Sequence, residues 1–213
     1  TCAIVLAAAP AFAGTVLQPA GASTSMHDPG SADYDPARLI SRAGLWNPYT
    51  SGVTDFDSYI ASQPGHAAGD DWYSDFWRLT GNIDLDLGGV RSIEGMALWS
   101  YEDAMSVNQF RLLAADNAGF ANAAVIGVFS NVIPVPGTSS NSHLPNVFKF
   151  ASTNASFIRI EVLSNHGSVF KTSLLEVAFD ESVAASAVPE PSTLGALASG
   201  AVGLLIARRR RSS

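Results

Sequence analysis

The chain of 213 residues holds one cysteine, Cys2, and only 15% charged residues, against roughly 25% in an average soluble protein. One thiol permits no internal disulfide, which excludes a small disulfide-stapled scaffold. Basic residues are scarcer still, with 12 Lys+Arg against 19 Asp+Glu and a net charge of −7. Residues 14–187 carry 8 Lys+Arg against 18 Asp+Glu, a balance of −10. Such a body repels phosphate backbones, so nucleic acid is not a partner. The four histidines, His27, His66, His143 and His166, are scattered and form no HExxH motif. A G-x-S-x-G elbow and a phosphate-binding glycine loop are also lacking. A hydrolase reading has only pairs such as Asp70 and Glu102 to draw on, and spacing in sequence does not place them around a bond. The reading is therefore non-enzymatic.

Both ends differ from the body. The run Thr1-Cys-Ala-Ile-Val-Leu-Ala-Ala-Ala-Pro-Ala-Phe-Ala13 is apolar and closes with small residues in an A-x-A arrangement, the pattern of a secretory leader cleaved between Ala13 and Gly14. Pro10 argues against a buried helix there. At the other end, Val188-Pro-Glu-Pro-Ser-Thr193 precedes an uncharged run from Ser192 to Ala207, followed by Arg208, Arg209, Arg210 and Arg211. That run is short beside the ~20 residues of an unassisted span, but arginine stems extend its reach. The positive-inside rule keeps the arginines cytoplasmic and the acidic body outside the inner membrane. Expected divisions are thus 1–13, a leader remnant; 14–187, the body, with its core at about 22–181; and 188–213, a sorting segment.

Pro189, Glu190 and Pro191, a short apolar span and a terminal arginine cluster together resemble the PEP-CTERM sorting signal. The resemblance implies recognition by an exosortase-type sorting enzyme, transient anchoring in the inner membrane, and delivery to the cell surface or extracellular matrix. The alternative is a plain C-terminal membrane anchor.

Within the body the pattern is strand-like. Ile83-Asp-Leu-Asp-Leu87 alternates strictly, with Gly88-Gly89 as a turn. Further candidates, rich in β-branched and aromatic residues, are Ile93-Glu-Gly-Met-Ala-Leu-Trp99, Val107-Asn-Gln-Phe-Arg-Leu-Leu113, Val147-Phe-Lys-Phe150, Phe157-Ile-Arg-Ile-Glu-Val162 and Leu174-Leu-Glu-Val-Ala-Phe179. Short strands separated by polar turns predict an all-β fold, an antiparallel sandwich or jelly roll. Trp77, the stretch from Gly81 to Trp99 and the two closing strands resemble the discoidin, or coagulation factor 5/8 type C, domain, a galactose-binding-like jelly roll. The resemblance implies sugar, lipid or protein binding through loops at one end of the barrel.

Sugar recognition needs flat aromatic faces and a few polar groups beside them. One stretch, from Gly65 to Trp77, holds His66, Asp70, Asp71, Trp72, Tyr73 and Trp77, and a second loop offers Trp46 and Tyr49. The expected ligand contacts are Trp72, Tyr73, His66, Asp70, Asp71 and Trp46. Trp77 and Trp72 also stand where core anchors beside the first central strand would, and Trp99 reads as core. The resemblance further implies a structural calcium tying an early loop to the last strand, with Asp55, Asp57 and Glu176 as its ligands, although no D-x-D-x-D-G loop is present. The expected function is carbohydrate binding, with exopolysaccharide as the ligand. The alternative is a structural or adhesion protein that contacts other proteins.

Overall fold

Strict alternation of apolar and polar side chains in the sequence gives each central strand one face for a core, and the computed structural model shows how these faces meet. It describes residues 14–27, 35–69, 71–133 and 143–182; the leader, Ala13, Asp70, the Pro189–Glu190–Pro191 motif and Arg208 to Arg211 lie outside the described residues. Nine strands occur: β1 (Thr15–Leu17), β2 (Gly21–Thr24), β3 (Trp72–Tyr73), β4 (Gly81–Trp99), β5 (Val107–Ala115), β6 (Ala124–Ser130), β7 (Pro145–Asn165), β8 (Ser173–Leu174) and β9 (Glu176–Glu181). Among the described residues they are joined by one short helix, α1 (Phe56–Ala61), and a 3-10 turn at Pro36–Ile40.

Two strands are long enough to serve both layers. The first limb of β4 pairs with β2 and with the end of β7 (Ile83 opposite Ile160, Leu85 opposite Ile158). Its second limb pairs with β9 and with the start of β7 (Met96 opposite Phe179 and Phe148). Register breaks between Asp86 and Arg91, where Gly88 and Gly89 have φ of +75° and +131°. Only glycine adopts both values without strain. The expected Gly88-Gly89 turn is therefore a bend inside one continuous strand. Because the limbs bend, Ile83, Leu85 and Leu87 join Ile93, Met96, Leu98, Ile158, Ile160, Val177 and Phe179 in one cluster. The result is an antiparallel β-sandwich, with β5 and β6 extending the first layer.

The outer face of the second layer is covered too. Ala97, Trp99, Leu175 and Ala178 pack beneath Val16, Leu45, Tyr49, Phe56 and Tyr59. Helix α1 starts because the Asp55 carboxylate accepts the Ser58 N–H at 2.7 Å. Trp99, fully buried, donates its indole N–H to the Pro64 carbonyl at 2.8 Å. The sandwich begins ahead of Ala22, since β1 pairs with β9 and Val16 is fully buried.

One end of the sandwich gathers three loops. The ladder of β3 with β8 sets Trp72 opposite Leu174 and Tyr73 opposite Ser173. Backbone bonds continue it, from Ser74 N–H to Thr172 O (2.8 Å) and from Trp77 N–H to Phe170 O (2.7 Å). The loop after β4 joins through Ser168 N–H to Ala104 O (3.0 Å) and Ser173 N–H to Met105 O (2.8 Å). The loops thus form a rigid platform, the arrangement that positions binding side chains accurately.

Candidate ligand-binding site

Pairing of β3 with β8 decides which aromatic side chains of the stretch from Gly65 to Trp77 reach solvent. Strand alternation turns Trp72 inward, where it is fully buried in the main cluster with Leu174. The expectation that Trp72 contacts ligand is corrected: it is a core anchor. Trp77 does the opposite and is 69% exposed, although its place before the central strand suggested a core role. Its φ of +69° lies in the left-handed region, an unusual setting for a bulky residue. The Phe170 ring, 52% exposed, lies 5.4 Å from it, centroid to centroid. Phe76 and Val169 beside them are exposed as well. Together they form an aromatic ledge.

Polar groups border the ledge. The Lys171 ammonium lies 4.1 Å from the centre of the Phe76 ring and 5.8 Å from that of Tyr73, within cation–π range. Tyr73 stacks on Tyr101 at 6.1 Å, and the His143 ring meets Tyr101 edge-on at 5.0 Å. The Asp71 carboxylate accepts from the Tyr101 hydroxyl, from the Tyr73 hydroxyl (3.4 Å) and from the Gly69 N–H (2.9 Å). Burial, and then the bonds to Asp71 and Tyr73, hold the Tyr101 phenol well above its ordinary range. Burial raises the Tyr73 phenol as well. Both phenols are therefore neutral donors at physiological pH. Tyr73 and Asp71 stand together, with the Asp71 carboxylate facing the two tyrosines.

His66 takes a structural place. It is fully buried, its Nδ1–H donates to the Ala67 carbonyl at 2.6 Å, and its backbone exchanges hydrogen bonds with that of His143. Trp46 is 59% exposed on the adjoining loop, with its N–H bonded to Gly65 O at 3.0 Å.

The three expected calcium ligands do not converge. Asp55 caps α1, and Asp57 pairs with Lys149 at 3.0 Å. Glu176 is fully buried and accepts the Arg42 N–H at 2.9 Å. Among the described residues no group of three His, Cys, Asp or Glu side chains could hold a metal ion. These residues do not fit a shared cation, because each carboxylate is committed to a different partner.

Sequence reasoning missed Phe170, Lys171, Tyr101 and His143, and misplaced Trp77. A signal was available in Phe170, a large aromatic in the polar loop after Asn165, since exposed loop aromatics are more often binding groups than core.

Comparison with known proteins agrees with this architecture. Solved carbohydrate-binding modules share the fold. The chain aligns with a selenomethionine-labelled mutant of chitosan-binding module 1 from the chitosanase/glucanase of Paenibacillus sp. IK-5 at TM-score 0.52 and 13% identity, covering 79% of this chain and 98% of that one. A family 32 module from a family 31 glycoside hydrolase of Clostridium perfringens aligns at TM-score 0.51 and 13% identity, covering 80% and 96%. The family 32 module of C. perfringens NanJ, solved with galactose, aligns at TM-score 0.50 and 13% identity, covering 78% and 97%. At these identities the likeness is one of fold. Residues 187–211 match the PEP-CTERM protein-sorting motif, which marks the chain as an exported, exosortase-sorted protein. No curated protein matches the chain.

Proposed function

We propose that the protein is a non-catalytic, surface- or matrix-sorted module whose loop end binds a polysaccharide. Support comes chiefly from the exposed Trp77–Phe170 pair, fixed by the Trp77 N–H bond to Phe170 O. A pyranose ring laid on these faces buries its apolar C–H side. Its hydroxyls are then met by Lys171 and by the Tyr73–Asp71–Tyr101 group. Asp71 here accepts hydrogen bonds from two tyrosines, a positioning role and not that of a general acid.

The charge of the body narrows the ligand. A −10 balance across residues 14–187 disfavours a polyuronate and favours a neutral or amino-sugar polymer, the exopolysaccharide of the producing cell being the natural candidate. In this reading the exosortase acts at Pro189–Glu190–Pro191 while the segment after it holds the chain in the inner membrane with Arg208 to Arg211 inside. Affinity electrophoresis tests the ligand class. Gels cast with neutral galactan or glucan should retard residues 14–187, and Phe170→Ala should abolish the retardation. Equal retardation by a polyuronate gel would count against the proposal.

A further inference from the structure

Strand β1 is held from both sides, and these contacts fix the residue before it. On β9, Asp180 stands opposite Val16 and Glu181 opposite Thr15. From the other side Val16 N–H bonds Thr54 O (2.8 Å), Gly52 N–H bonds Val16 O (2.9 Å) and Phe56 N–H bonds Gly14 O (2.9 Å). Gly14 is buried where β9 and the start of α1 meet. A Cβ at this position would lie 1.8 Å from Oδ1 of Asp180 and 3.0 Å from the Glu181 carbonyl oxygen, so a side chain here would collide with the carboxylate. Standard bond lengths and angles then place the Gly14 nitrogen within about 4.3 Å of that Oδ1.

The Asp180 carboxylate is only half satisfied. Its Oδ2 accepts from the Lys149 ammonium at 2.6 Å. Its Oδ1 is buried and accepts no hydrogen bond, a state that buried polar atoms rarely keep. Lys149 is itself half exposed and shared with Asp57 at 3.0 Å. Around Gly14 the carboxylates of Asp55, Asp57, Asp180 and Glu181 stand against two cations, Lys149 and Arg91, the latter bonded to Glu181 at 3.2 Å. The surroundings of Gly14 therefore favour one more positive charge.

We propose that removal of the leader supplies that charge: the α-ammonium released at Gly14 pairs with Oδ1 of Asp180 and locks β1 onto β9. The inference rests on cleavage between Ala13 and Gly14, where the A-x-A pattern places it. Hydrolysis breaks the bond from the Ala13 carbonyl carbon to the Gly14 nitrogen. The oxygen of water goes to the Ala13 carboxylate, and its two protons go to the nitrogen, which becomes an ammonium. Before cleavage this nitrogen carries one N–H, held in the peptide plane, and it makes no bond to Oδ1. Afterwards it carries three donors on a rotating head and a full charge, the stronger kind of partner for a carboxylate. No long side chain has to be ordered to bring it there. The consequence is a body that reaches its full stability only once the leader is gone.

The test compares residues 14–213, released from a fusion by a protease that leaves Gly14 first, with residues 11–213, whose amine stands three residues away. Both are studied in a nonionic detergent, each with Asp180 and with Asp180→Asn. The Gly14 start should unfold in urea at a midpoint roughly 1 M above that of the Ala11 start, and the two midpoints should coincide in Asp180→Asn. Independently of that variant, acylation of the α-amine at neutral pH, read by mass spectrometry, should be at least about tenfold slower at Gly14 than at Ala11. Equal midpoints, a difference that persists in Asp180→Asn, or equal acylation rates would overturn the ion pair. N-terminal sequencing of the protein recovered from the producing cells should read Gly14 first; a different first residue would overturn the link to leader removal while leaving the result on the purified chains to stand by itself.

Discussion

Trp72, on β3, and Trp77, in the loop that follows, lie five positions apart, yet their exchange for small residues should give opposite results. Trp72→Ala empties a fully buried site in the main cluster. Transfer and cavity costs for such a change total about 3–5 kcal/mol, a large part of the ~5–15 kcal/mol that holds a domain folded. At Trp77 three smaller terms nearly cancel. Replacement by glycine removes the cost of holding a bulky residue at φ +69°, about 1–2 kcal/mol. It adds the backbone entropy of glycine, about 0.5–1 kcal/mol, and loses the ring contact with Phe170, about 0.5–1.5 kcal/mol. The net change lies within about 1.5 kcal/mol of zero. With a urea slope of about 2 kcal/mol/M, Trp72→Ala moves the midpoint down by roughly 2 M, while Trp77→Gly leaves it within about 0.75 M. Urea titrations followed by circular dichroism read both values. The reasoning fails if Trp77→Gly unfolds as early as Trp72→Ala, because Trp77 would then be holding the fold together.

Other consequences follow from the burial of charge and phenols. Burial pushes the phenols of Tyr49, Tyr59 and Tyr101 far above their ordinary range, so the unfolded chain ionises first. Their stabilising contribution is complete below pH ~10, the value in the unfolded chain, and is lost as pH rises beyond it. Tyrosinate absorbance for these residues should therefore rise together with loss of near-ultraviolet circular dichroism; titration near pH 10 with that signal intact would contradict the burial. Lys149 bonds both Asp180, whose side chain is 3% exposed, and Asp57, 71% exposed. Lys149→Ala leaves a buried carboxylate without its cation and should cost about 2 kcal/mol, whereas Asp57→Ala should cost less than ~0.5 kcal/mol, both read from urea midpoints. A Cβ at position 44 would lie 2.0 Å from Cε1 of buried His66, so Gly44→Ala should cost about 1–3 kcal/mol through overpacking, measured by thermal unfolding.

Central strands were legible because their alternation is local: Ile83, Leu85, Ile158, Ile160 and Val162 all face the core as their spacing predicts. Continuity was not legible. The weak strand formers between Phe150 and Phe157 separate two apparent strands that the structure runs together as β7. Strand β6 was missed because a bulge beside Leu112 and Leu113 breaks its alternation. The aromatic content of the site stood out in sequence, but the choice between Trp72 and Trp77 depends on pairing with Ser173 and Leu174, about a hundred residues away. Tyr101, His143, Phe170 and Lys171 arrive at the site from loops that only the closed sandwich brings together. The calcium expectation placed Asp55, Asp57 and Glu176 in one role, while local demands, a helix cap, a lysine and a loop N–H, give them three.

Calorimetric titration of residues 14–187 with the purified exopolysaccharide, for wild type and for Trp77→Ala and Phe170→Ala, bears most directly on the function. The ledge account predicts saturable binding by wild type and a loss of about 2 kcal/mol, roughly thirtyfold in Kd, for each variant, with folding stability lowered by no more than the ~0.5–1.5 kcal/mol of the lost ring contact. Absence of binding by wild type, or equal affinity in all three proteins, would contradict it.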